Sequence, residues 1–175
     1  MNIIIVDDDT LVTEALKTIL ESSGKVTVTA TGSDGTDAVR LYKKFKPDIL
    51  LTDIQMKEMS GLDATKEILS FDNTAKILLL TTFLDDEYIV TALKYGAKGY
   101  ILKQDYTAIV PALEAVYSGQ SVFGTEIISK LPELLNKKHE FDYSDYDINE
   151  RELEVSKEIA DGHSNKEIAA DLYLS

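Results

Sequence analysis

The chain has 175 residues, 44% hydrophobic and 28% charged, with a net charge of −13 and no cysteine. That profile is of a folded chain, and it excludes a disulfide framework or a cysteine-built metal site. No apolar run approaches the roughly 20 residues of a membrane span, and MNIIIVDDD has neither the basic leader nor the apolar length of a signal peptide, so the expectation is a cytoplasmic protein without a membrane partner.

From the amino end, short apolar runs read as buried parallel strands at residues 3–6 (IIIV), 26–30 (VTVTA), 48–52 (DILLT), 76–81 (KILLLT) and 99–102 (GYIL). Segments with helical spacing lie between them. Leu11, Val12, Ala15, Leu16, Ile19 and Leu20 form the first stripe, and Ile109, Val110, Leu113, Val116 and Tyr117 the last. Pro111 removes a backbone donor from that last helix, but near its start, where the loss matters least. Five strand-then-helix units predict an α/β domain with a parallel sheet covered on both faces. The common solution is the flavodoxin-like (βα)5 arrangement with strand order 2-1-3-4-5, whose crevice opens at the carboxyl ends of the strands.

After residue 118 the pattern changes. Residues 119–147 read as a linker with a short amphipathic helix around Glu126 to Leu135, ending in an acidic stretch without periodicity. Residues 148–175 read as two short helices: Asn149 caps the first, which carries Leu153, Val155, Ile159 and Ala160, Gly162 ends it, and the second carries Ile168, Ala169 and Leu172.

The candidate chemistry sits at the strand ends. Asp7 and Asp8 follow the first strand, Asp53 the third, Thr81 and Thr82 the fourth, and Lys103 the fifth. With the first and third strands adjacent, three carboxylates converge beside a hydroxyl and an ammonium. Like charges so close need a cation, and an all-oxygen set suits Mg²⁺. Asp53 can then act as a nucleophile toward a phosphoryl donor, with Lys103 and Thr81 stabilising the product. Asp7, Asp8 or Asp53 alone would be an ordinary solvated acid; their joint placement at strand ends carries the reading. Asp9 reads as solvated, and His139 and His163 as surface residues.

The DD pair after the first strand, PDILLTDIQM around Asp53, the TT pair and GYILK resemble the signature regions of response-regulator receiver domains, over residues 1–118. INERELEVSKEIADGHSNKEIAADLYLS resembles the start of the LuxR-type helix-turn-helix of the NarL/FixJ subfamily. The resemblance implies Mg²⁺ held by Asp7, Asp8, Asp53 and the backbone carbonyl of Gln55, a phosphoacceptor at Asp53, phosphate contacts from Thr81, Thr82 and Lys103, and a switch pair in Thr81 and Tyr100. Lys57 stands where the family usually has proline, and Asp9 where the subfamily often has histidine. Neither departure removes a required group.

The same resemblance implies a sensor histidine kinase as donor, a phosphorylation-dependent homodimer, and DNA as the target of an intact regulator. This chain is expected to stop before the recognition helix and to be a fragment of a longer regulator, so it is not expected to read DNA itself. Its charge agrees: residues 1–118 hold 18 acids and 12 bases, net −6, and residues 119–175 hold 13 and 6, net −7, a sign that repels phosphate backbones. Two other classes stay open. One is a receiver that works through protein contacts without DNA. The other is a phosphatase-type hydrolase with a nucleophilic aspartate, which Ile54 and Gln55 disfavour because neither can serve as acid or base.

Overall fold

In a computed structural model, residues 1–82 and 84–136 are described. In chain order the elements are β1 (Asn2–Val6), α1 (Thr10–Ser22), β2 (Thr27–Gly32), α2 (Gly35–Phe45), β3 (Ile49–Asp53), α3 (Gly61–Phe71), β4 (Ile77–Thr81), α4 (Asp86–Tyr95), β5 (Gly99–Leu102), α5 (Tyr106–Tyr117), β6 (Val122–Phe123) and α6 (Thr125–Asn136). The sheet runs β2-β1-β3-β4-β5-β6, each neighbouring pair parallel. The expected 2-1-3-4-5 order is therefore present, with one more strand at its far edge. The two expected helices after residue 148 lie outside the described residues.

Period-2 alternation sorts the strand side chains between two layers. Ile3, Ile5, Ile49, Leu51, Leu78 and Leu80 point to the face covered by α1 and α5, meeting Leu16, Leu20, Ile109, Leu113 and Val116. Ile4, Val6, Leu50 and Ile77 point to the other face, against Ala38, Val39 and Tyr42 of α2 and Ala64 and Ile68 of α3. Leu79 and Tyr100 continue that second face with Ile89 and Ala92 of α4. Covered on both sides, β3 and β4 are buried at every position, and each Leu or Ile so buried contributes about 1.5–3 kcal/mol relative to exposure.

Three expectations need correction. The strand expected at residues 26–30 is an edge strand displaced to Thr27–Gly32, with alternate residues exposed, because only β1 pairs with it. The six-residue stripe of α1 is not all buried: Thr13, Leu16 and Leu20 face the sheet with Val12 beside them, whereas Leu11 is 79% exposed and Ala15 and Ile19 are also on the outer side. A helix lying on a flat sheet buries a narrower face than that stripe spans. Tyr117, at the end of α5, is exposed for the same reason.

The third correction concerns residues just past 118. The sheet continues through Val122 and Phe123, which pair with Gly99 and Tyr100 of β5, and α6 drops Ile127 into the core beside α4. The compact unit extends to Asn136.

Candidate functional site: an acidic crevice at the strand ends

Strand register builds the site. Val6 lies opposite Thr52 and Asp53 opposite Leu80, so the residues one step past β1 stand beside the end of β3. Thr81 lies opposite Leu102, and the Lys103 amide donates to the Thr81 carbonyl at 2.7 Å. Asp7, Asp8, Asp53, Thr81 and Lys103 therefore come from four adjacent strands and meet at one edge, as expected for a doubly wound sheet.

Asp7 and Asp53 are buried and Asp8 is exposed. One carboxylate oxygen from each of the three lies within 4.8 Å of the others. The Lys103 ammonium, on a side chain only 14% exposed, sits 2.7 Å from Asp7 Oδ2 and 3.0 Å from Asp53 Oδ2. The other oxygens are held by backbone: the Ile54 amide donates to Asp53 Oδ1 at 2.8 Å and the Asp9 amide to Asp7 Oδ1 at 3.0 Å. Among the described residues Asp7 Oδ2 has no partner beyond this 2.7 Å ion pair with Lys103.

Electrostatics follow from this packing. Burial pushes the Asp53 carboxyl above the ordinary aspartate range, and the Asp7 charge adds to the rise; Lys103 pulls it back only in part. For Lys103, burial works to lower the ammonium, but hydrogen bonds and charge from Asp7 and Asp53 together hold it above its usual value. Three carboxylates facing one ammonium leave the crevice short of positive charge. An under-bonded buried oxygen and an all-oxygen donor set fit a hard divalent cation.

The remaining candidates surround this core. Thr81 is buried at the end of β4, and Thr82 is exposed next to it. Tyr100 is wholly buried, its hydroxyl without a hydrogen-bond partner among the described residues. Burial pushes that phenol up to about 12, with the Thr81 side chain close enough to moderate the rise. The Gln55 side chain is exposed and donates through Nε2 to the Tyr88 hydroxyl at 3.1 Å, tying the β3–α3 loop to the first turn of α4. Lys57 is exposed on that loop. Asp9 caps α1, accepting from the Leu11 and Val12 amides, which gives it a structural task at the rim.

Two contributors escaped the sequence reading. Tyr88 carries no motif and reaches the site loop only through the fold. Gly61 begins α3 directly against the end of β3: its amide donates to the Ile54 carbonyl at 2.9 Å, and a Cβ there would stand 1.9 Å from the Asp53 carbonyl oxygen. A side chain at 61 would displace the backbone that aims Asp53. The Ser-Gly pair was its only sequence signal.

A doubly wound sheet with a lysine-paired aspartate cluster at its carboxyl edge defines a signalling receiver domain, and comparison agrees. Residues 3–114 match the family described as the response regulator receiver domain, and the chain belongs to that family. It is similar to the transcriptional regulatory protein LnrK of Bacillus subtilis (strain 168), 38% identical over 185 residues that take in 100% of this chain and 84% of that protein. It is 37% identical over 182 residues, with the same coverage of each, to the oxygen regulatory protein NreC of Staphylococcus haemolyticus (strain JCSC1435). A LuxR-family two-component response regulator from Aurantimonas sp. SI85-9A1 superposes with a TM-score of 0.72 at 31% identity, covering 75% of this chain and 95% of that one. The chain is thus a response regulator of a two-component system, of the LuxR-family type. Among the described residues no helix is long and apolar enough to cross a membrane.

Proposed function

We propose that Asp53 is the phosphoacceptor of this regulator and that the acidic crevice works with Mg²⁺. The observation that carries the reading is the pairing of one ammonium with two buried carboxylates, Asp7 and Asp53, while a carboxylate oxygen of Asp8 lies within 4.8 Å of one on each. Asp7, Asp8, Asp53 and the Gln55 carbonyl would hold the cation, which when bound offsets charge on the phosphoryl oxygens. An Asp53 carboxylate oxygen attacks phosphorus. The bond from phosphorus to the imidazole nitrogen of the kinase histidine breaks, and that nitrogen keeps the electron pair. Lys103 and Thr81, with Thr82 at the rim, meet the phosphoryl oxygens.

Tyr100 would pair with Thr81 as the conformational switch. Phosphorylation would shift the receiver between two states, promote a homodimer, and act on DNA through a helix-turn-helix beginning near residue 148, with the residues after Asn136 as the connection. LnrK is a transcriptional regulatory protein and NreC an oxygen regulatory protein, which supports an output at the gene.

The test is the intact mass of the chain after incubation with Mg²⁺ and acetyl phosphate. One phosphoryl adduct is expected, absent from Asp53→Ala and from samples with EDTA. An adduct that persists in the variant would reassign the acceptor.

A further inference from the structure

The first turn of α4 is tied in two directions. On one side the Tyr88 hydroxyl takes the hydrogen bond from Gln55, two residues past Asp53. On the other, Asp86 forms a 2.7 Å ion pair with Lys130 of α6, each side chain a little over a third exposed. Asp86 lies five residues beyond Thr81, so the same turn is also the far end of the loop that leaves the crevice.

α6 has a second attachment that leads back to the same place. Ile127 is 1% exposed in the cluster with Ile89 and Ala92 of α4, and Phe123 and Leu131 pack around it. Just before α6, Phe123 pairs with Tyr100 across β5 and β6, and the Gly124 amide donates to the Tyr100 carbonyl at 3.3 Å. The seat of α6 is therefore made of two parts, the first turn of α4 and the strand of Tyr100, and each part touches a group at the crevice. Among residues 125–132 of α6, Ile127 is the buried hydrophobic and Ile128 the exposed one, so for that part of the helix this seat is where burial is found. After residue 136 the chain runs on toward the segment read as the effector domain.

From this arrangement we infer that α6 is the output lever of the receiver, its seat on α4 and β6 set by the state of the Asp53 crevice. The inference rests on the phosphoacceptor reading and extends it to the element that carries the signal out. Coupling of this kind is reciprocal. If phosphoryl on Asp53 alters how α6 sits, then loosening α6 must alter the free energy of the phosphorylated state. Lys130 acts here as a positioning residue through α4, without touching the crevice.

The test uses the full chain with Mg²⁺ and acetyl phosphate. Hydrogen exchange of the amides in 125–136 is expected to change about five-fold on phosphorylation, the low end of ordinary coupling between sites. In the reciprocal arm, Lys130→Met and Ile127→Ala are expected to shift the half-life of the phosphoryl adduct about three-fold or more. Lys25→Met, which breaks a surface ion pair of the same kind with Glu114, is expected to leave it unchanged. Lys130→Met removes only a partly exposed charge, so the arm survives even if Ile127→Ala unfolds. An adduct on the parent chain with unchanged exchange in 125–136, or with one half-life across Lys130→Met, Lys25→Met and parent, would overturn the lever alone. No adduct on the parent would overturn the phosphoacceptor reading and the lever with it.

Discussion

Asp53 and Asp72 stand at opposite ends of α3, and the fold treats them in opposite ways. Asp72, just past the helix at the amino end of the sheet, receives the Tyr42 hydroxyl at 2.9 Å and the Thr74 hydroxyl at 2.7 Å. These neutral donors, Thr74 first and Tyr42 next, hold its carboxyl below the ordinary range. Asp53, at the carboxyl end, is buried beside another carboxylate and sits above that range. One acid has donors enough and contributes to stability. The other is held in an environment that disfavours its charge, at the position where the phosphoacceptor proposed above needs that charge.

The contrast yields predictions in descending order of effect. Cation binding should relieve the crevice alone: Mg²⁺ at about a hundred times its dissociation constant stabilises the fold by about 2.7 kcal/mol. Thermal melts should show the rise in the parent and not in Asp7→Asn, whereas an equal rise in both would remove Asp7 from the site.

In EDTA near pH 7, Asp53→Asn should be more stable than the parent, because it removes a charge that burial disfavours. The sign follows from linkage. A carboxyl raised in the folded state favours folding below its unfolded value near 4 and loses that contribution as pH rises through its folded value. The advantage of Asp53→Asn in urea titrations should therefore shrink toward zero as pH drops below about 4.

At the other end the signs reverse. Tyr42→Phe should cost about 1 kcal/mol at neutral pH by removing the bond to Asp72. A lowered carboxyl stabilises above its unfolded value and loses that contribution as pH falls through its folded one, so the deficit should narrow below about pH 4. An unchanged deficit in acid would assign the loss to packing of the Tyr42 ring. Thr74→Ala, on a more exposed bond, should cost about 0.5 kcal/mol by the same measurement.

Much of this site could be read in the sequence because its chemistry lies where short-range pattern is strongest. Apolar runs mark the central strands, and the residues that end them are the residues of the crevice. The edges were harder. β2 shares its alternation with solvent, so its limits shifted, and β6 is only Val122 and Phe123 within SGQSVFG, too short to have a period. Leu11, Ala15 and Ile19 share the α1 stripe yet lie outside the contact, because helical spacing tells which residues share a side, not how wide a contact the sheet offers. Tyr88 and Gly61 act through contacts that only the packed chain creates.

Among the described residues, β6 also bears on how copies of this domain can meet. A sheet edge is a template of unpaired amide and carbonyl groups that recruits further strands. Two residues long and turned at once into α6, β6 offers almost no ladder. β2, on the other side, runs six residues with Thr27, Thr29 and Thr31 exposed. With the β6 edge stopped and the β2 edge open among the described residues, strand-to-strand association would end at a pair of sheets joined edge to edge, because a two-fold contact through one edge closes on itself. The short strand thus acts as a stop against fibre growth.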